Sequence, residues 1–184
     1  MNSPVHNPFD VVGQPTPKKD GVVKASGQAE YADDLSMPGM LHGKLLRSPH
    51  PHARILRIDT SRAKALPGVR AVITGADFPG VKYGNLPQTR DYLPLALDVV
   101  RYIGEEVAAV AAVDEDTAEE ALDLIEVEYE PLPAVFDPDE AMRPDAPLVH
   151  DKVANNVSAK TAFEFGKVDD AFSSADYVRE DVYE

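Results

Sequence analysis

The chain has 184 residues, 43% of them hydrophobic and 27% charged, with a net charge of −14 and no cysteine. That balance describes a globular protein with room for one sizeable core plus appendages. The lack of cysteine excludes disulfides, a thiolate nucleophile, iron–sulfur ligation and cysteine-type zinc sites. The acidic charge opposes phosphate backbones and anionic membranes, so neither nucleic acid nor a membrane is an expected partner. The start, MNSPVHNPFD, lacks a basic, apolar leader, and no run approaches about 18 apolar residues, so the cytoplasm is the default location.

Residues 1–19, rich in Pro, Asn and Lys, read as an extended arm, either a solvated tail or a segment that orders on a partner. Residues 21–34 read as a loop leading into a strand. They carry the pair Asp33-Asp34, which could hold a divalent cation, but no further carboxylate follows at ligand spacing and solvated acids are the preferred reading. Strands are expected over residues 41–48 and 53–59, separated by Pro49-His50-Pro51-His52. Asp59, Thr60 or Ser61 caps a short helix over 61–66, which Pro67-Gly68 stops, and a strand follows over 69–73. Residues 76–92 read as a long loop; Asn85, Gln88 and Tyr92 are candidate ligand contacts, with solvated loop residues the preferred reading.

The stretch from Pro94 to Pro133 organises the rest. An alternating run over 99–103, a pivot at Gly104 and a continuous apolar run over 107–113 predict strand, turn and a strand covered on both faces. Thr117 and Glu120 have capping-box spacing, and Ala118, Ala121, Leu122 and Ile125 make one narrow helical stripe. A second strand over 125–129 follows, implying a parallel pair with a right-handed crossover, and Pro131 and Pro133 end the ladder. Strand, short helix, strand thus occurs twice in the chain, as a loose structural echo. Beyond Pro133, Asp137 or Asp139 starts a helical turn ending near Met142, and a turn-rich stretch follows. A strand over 161–165, a helix over 168–173 and a last strand over 177–183 complete the series. The last alternating run reaches Glu184 with no turn, so its edge is expected to be completed by, or continued in, another polypeptide.

Little of the usual chemistry is visible. His50 and His52 are two apart, but two imidazoles are half a tetrahedral zinc set, and Arg47 and Arg54 beside them repel a cation. The preferred reading makes Arg47, His50, His52 and Arg54 an interface group that hydrogen-bonds a neighbouring domain. Neither phosphate-cradling glycine loop occurs, nor Gly-x-Ser-x-Gly, nor His-Glu-x-x-His. Glu105 and Glu106 adjoin on an expected strand and so point to opposite faces, and nothing marks any carboxylate as buried. Taken alone, the residues describe a scaffold without a complete active site.

Three stretches carry a resemblance: residues 27–78, 92–142 and 155–184. The most specific pieces are Arg47-Ser48-Pro49-His50 through Ala53-Arg54-Ile55, then Leu66-Pro67-Gly68-Val69, and Val100-Arg101-Tyr102-x-Gly104 followed by Val107-Ala108-x-Val110. They resemble the start of the large molybdenum-binding subunit of the xanthine dehydrogenase and aldehyde oxidase family, nearest to the alpha subunit of 4-hydroxybenzoyl-CoA reductase. The resemblance implies an α+β fold, the α/β hammerhead: an arm over 1–19, the hammerhead over 20–143, and a linker with the start of the cofactor-binding domain over 144–184. It implies molybdopterin cytosine dinucleotide in the assembled enzyme, with iron–sulfur clusters and FAD on other subunits and no cofactor held by this chain alone. The implied partners are a larger molybdenum-cofactor-binding chain, an iron–sulfur subunit and an FAD subunit. No catalytic, cofactor-binding or metal-ligating residue carries over, because the family's cofactor loop and active-site glutamate lie beyond Glu184. The expected function is therefore the N-terminal part of a molybdenum hydroxylase-type oxidoreductase. The alternatives are a binding or assembly module built on the same domain, and an acidic domain that binds cations and is stabilised by calcium or magnesium.

Overall fold

A computed structural model describes residues 11–84, 92–181 and 183. The chain divides into two units, residues 1–40 and 41–184. In the first, the stretch expected as a loop holds a short helix, α1 (Gly21–Ala25), and a 3-10 turn, Ala32–Asp34. The Asp34 carboxylate accepts the Tyr31 N–H at 2.9 Å, so it is occupied in closing that turn. Neither element contains a buried residue.

The second unit is built from two antiparallel sheets. Its elements are β1 (His42–Arg47), β2 (Ala53–Asp59), α2 (Ser61–Ala65), β3 (Val69–Thr74), β4 (Val99–Val100), β5 (Glu106–Ala112), α3 (Glu115–Asp123) and β6 (Glu126–Pro131). Two short helices follow, α4 (Pro138–Ala141) and α5 (Val168–Ser174). One sheet has the order β1-β5-β3 and the other β4-β2-β6, with every pairing antiparallel. The expected parallel pair of β5 and β6 is thus corrected, and the cause is competition for the edges of β5. Both edges of β5 are filled, by β1 and β3, so β6 cannot lie beside it. Moreover β6 alternates Glu126, Glu128 and Glu130 with Val127 and Tyr129, the one-wet-face pattern of an antiparallel strand.

The echo of strand, helix and strand is real in three dimensions. β2-α2-β3 and β5-α3-β6 each place one strand in each sheet, and the two units pair with one another as β3 with β5 and β2 with β6. β5 buries both its faces at its start. Ala108, Val110 and Ala112 pack with Val72 and Ile125 under Ala63 of α2 and Ala118 and Ala121 of α3. Val107 points the other way, into a second cluster with Ala53, Ala96 and Val100. The alanines allow the helices to approach the sheet closely. Burial of this apolar surface, at roughly 25 cal/mol per Å2, is the main stabilising contribution.

Three local expectations change. The cap of α3 is Asp114, whose carboxylate accepts the Thr117 N–H at 2.7 Å, and not the Thr117–Glu120 box. Asp114 has a carboxylate for the N3 amide and sits in the extended conformation a cap needs, so it begins the helix three residues before Thr117. The run over 99–103 is a strand only at Val99–Val100, because the chain turns at Gly104, whose φ of 90° favours glycine. Residues 161–165 and the described part of 177–183 form no ladder and are exposed: a strand needs a neighbour, and neither finds one among the described residues. Asn85 and Gln88 lie outside the described residues, while Tyr92 bridges antiparallel to Tyr83. The turn after Pro133 forms as α4, capped by Asp137 through the Glu140 N–H at 2.8 Å.

Candidate functional site

The bend between β1 and β2 gathers the residues singled out from the sequence. Ser48 is buried, and its hydroxyl donates to the His50 carbonyl and accepts the His50 N–H, both at 3.0 Å. With Pro49 and Pro51 this fixes the direction of the following strand. His52 is buried, and its Nδ1 donates to the Pro133 carbonyl at 2.6 Å. A carbonyl can only accept, so Nδ1 carries the proton. The His50 ring instead stands edge-on to Tyr129, with centroids 4.9 Å apart. The two imidazoles therefore serve different neighbours and do not converge on a metal.

Both flanking arginines also have partners within the chain. Arg47 Nη1 donates to the Gly104 carbonyl at 2.8 Å and to Glu106 Oε1 at 2.7 Å, joining the start of β5 to the end of β1. Arg54 donates to Glu130 at 2.8 Å, and Arg57–Glu128 and Arg62–Glu126 continue the row along β6. Arg47 and Arg54 keep 54% and 55% of their side chains exposed, so each retains surface for an outside acceptor. Exposed pairs of this kind contribute about 0–1 kcal/mol each to stability.

Glu105 is the residue that sequence reasoning missed. It lies in the turn before β5, not on the strand with Glu106 as expected, and it is half-buried. Burial pushes its carboxyl above the ordinary carboxylate range, opposed by the Arg101 N–H it accepts at 2.5 Å and by the Arg101 charge. Burial likewise pushes the Tyr102 phenol up, reinforced by Glu106 and Glu105. A cavity of about 160 Å3 is lined by Tyr92, Arg101, Tyr102, Glu105, Val149 and His150. A carboxyl with a raised folded pKa binds its proton more tightly folded than unfolded. Its burden on stability is therefore present at neutral pH and is relieved as pH falls through the folded value toward the unfolded one, near 4.5. Glu105→Gln, which keeps an acceptor for the Arg101 N–H, is expected to leave stability at pH 7 unchanged or raised and to flatten the pH dependence above 4.5. Urea midpoints measured from about pH 4.5 to about pH 7.5 check this; a variant less stable than the parent at pH 7 contradicts it.

Among the described residues no group of three His, Asp or Glu side chains could hold a metal ion. The space over the most tightly approached glycine, Gly75, is filled by the Ala96 carbonyl. What the arrangement does is fix two turns against each other and present a charged face. No helix among the described residues is long and apolar enough to cross a membrane.

A family model described as "Aldehyde oxidase and xanthine dehydrogenase, a/b hammerhead domain" matches residues 26–133. The chain belongs to that family. The two sheets with crossing strand–helix–strand units are its hammerhead, and the bend with its partner turn, Arg101 to Glu106, lies within it. The chain is 42% identical over 168 residues to a probable xanthine dehydrogenase subunit of Bacillus subtilis (strain 168), covering 91% of this chain and 22% of that protein. It is 39% identical over 176 residues to the nicotinate dehydrogenase large molybdopterin subunit of Eubacterium barkeri, covering 95% and 40%. Among solved structures, quinoline 2-oxidoreductase from Pseudomonas putida 86 superimposes with a TM-score of 0.71 at 35% identity, over 88% of this chain and 21% of that one. The hammerhead chain thus spans from about a fifth to two fifths of the length of these relatives.

Proposed function

We propose that this chain is the N-terminal hammerhead part of a molybdenum hydroxylase-type oxidoreductase, with catalysis located on the remainder of the enzyme. The observation that carries the reading is the family match over residues 26–133, in a chain that spans about a fifth to two fifths of its relatives. Its role is to complete the fold and the subunit contacts of the cofactor-binding chain. The organisation is an arm over 1–19, the hammerhead over 20–143, and a linker with the start of the next domain over 144–184. The assembled enzyme uses molybdopterin cytosine dinucleotide, with iron–sulfur clusters and FAD on companion subunits, in the cytoplasm. The large molybdopterin subunit of nicotinate dehydrogenase among the relatives supports a molybdopterin group in the assembled enzyme. The resemblance to 4-hydroxybenzoyl-CoA reductase makes an aromatic acyl-CoA ester one candidate substrate, beside the N-heterocycles named for other relatives.

The contact face in this proposal is the bend. Arg47 and Arg54 reach outward from their pairs, His50 lies at the rim on Tyr129, and His52 supports them from beneath through Pro133. Purified by itself, the chain is expected to contain no molybdenum by elemental analysis and to show no dye-linked oxidation or reduction of purines, aldehydes, N-heterocycles or aromatic acyl-CoA esters. Molybdenum bound stoichiometrically to the isolated chain would overturn the division of labour. A binding or assembly module on the same domain, the alternative reading, predicts the same blank result alone but no molybdenum-containing partner.

A further inference from the structure

Residues 141–157, which run on from the end of α4, have no ladder of their own, yet the guanidinium of Arg101 ties them to the hammerhead. Arg101 Nε donates to the Val149 carbonyl at 3.1 Å, and its Nη1 donates to the Val99 carbonyl at 3.2 Å, so one guanidinium joins β4 to a residue 48 positions later. The backbone N–H of the same arginine rests on Glu105. A second tie lies within the segment. Asn156 accepts the Val149 N–H at 2.8 Å and donates to the carbonyls of Ala141 and Pro147, each at 2.9 Å. Val149 thus has its carbonyl held by one side chain and its N–H by another.

The packing around that point is thin. Tyr92, Val149 and His150 line the 160 Å3 cavity beside Glu105 and also a second cavity of about 580 Å3 bordered by Met142, Val153 and Val157. Val149 and His150 therefore form a wall with space on both sides. Asn155 and Asn156 have φ of 53° and 56°, a left-handed turn that asparagine tolerates better than other side-chain-bearing residues. A segment with little packing and only polar ties is the kind that opens before the rest of a fold.

We propose that residues 141–157 are a strap, stiffened internally by Asn156 and held shut by Arg101, whose opening joins the two cavities into one groove along Tyr92, Tyr102 and Met142. Arg101 is its positioning residue. This also gives a physical role to the Val-Arg-Tyr-x-Gly motif: the turn ending at Gly104 presents the guanidinium to the chain that leaves the hammerhead. The inference rests on this chain's own contacts and stands whether or not a molybdenum-containing partner exists.

The test uses the full chain, in whatever assembly it purifies with, and two readouts. In Arg101→Met, which keeps the stem and removes the fork, amide exchange at residues 148–150 is expected to rise on the order of tenfold, while β5 amides stay within about twofold of the parent. Because the chain has no cysteine, Leu93→Cys in the wall of the smaller cavity is a clean reporter. Its thiol-labelling rate is expected to rise by a similar factor when Arg101→Met is added. Should Arg101→Met not fold, Asn156→Gly, which suits the left-handed backbone and removes three hydrogen bonds, is expected to give the same pattern. Unchanged exchange at 148–150, or a rise shared equally by β5, overturns the strap. Arg101→Lys keeps the charge without the planar fork and is expected to restore less than full protection; complete restoration would also overturn the positioning role.

Discussion

Gly75→Ala is expected to lower the melting temperature by roughly 10 °C. A Cβ at this buried position would sit 2.6 Å from the Ala96 carbonyl oxygen and 2.9 Å from both the Ala96 carbonyl carbon and the Leu97 Cα. All three are backbone atoms, so no side chain can swing aside. The segment cannot retreat cheaply either, since Leu95 and Ala96 are buried and the Ala96 N–H bonds the Glu106 carbonyl at 2.7 Å. An overpacking cost of about 3 kcal/mol, with about 2–4 °C per kcal/mol for a chain of this size, gives the stated shift. Calorimetry of the purified variant measures it. A loss under about 2 °C would mean that residues 95–97 yield and do not brace β3 against β5.

Ala121→Leu is expected to be almost as damaging, although leucine is an excellent helix former. Ala121 is fully buried in α3, packed with Ala118 and Ala63 over Ala108, Val110 and Ala112 of β5. Three extra carbons must lift the helix from the sheet, costing about 1–3 kcal/mol and roughly 3–10 °C, with the largest increase in hydrogen exchange along α3. Helix propensity alone predicts a change near zero. A variant as stable as the parent would show that the alanine stripe does not set the helix–sheet distance.

That stripe was legible in the sequence, because Ala118, Ala121, Leu122 and Ile125 recur at helical spacing and the run over 107–113 has no polar interruption. The strands at 53–59 and 69–73 were legible as short runs carrying β-branched residues with turn residues at their ends. Pairing was not. Chain order joined β5 to β6, whereas the competition for edges is decided by β1 and β3, which lie up to 70 positions away in sequence from the strand they flank. The alternation of Glu126, Glu128 and Glu130 with Val127 and Tyr129 was a usable signal that β6 belongs to a sheet with one wet face. Of the bend, Arg47, His50, His52 and Arg54 were marked by composition, but their partners Glu106, Tyr129, Pro133 and Glu130 lie 59 to 81 positions away in the chain and carry no local pattern. Glu105 was invisible because its burial comes from residues 92, 102 and 149–150 closing over a turn.

The proposal that the hammerhead completes a larger enzyme is tested most directly by isolating the protein from its native source through a tag on this chain and measuring molybdenum in the eluate. The account predicts a longer polypeptide co-eluting in fixed ratio, or this sequence found as the N-terminal part of one, with about one molybdenum per hammerhead. A 184-residue chain that elutes alone, folded and free of molybdenum, would contradict it.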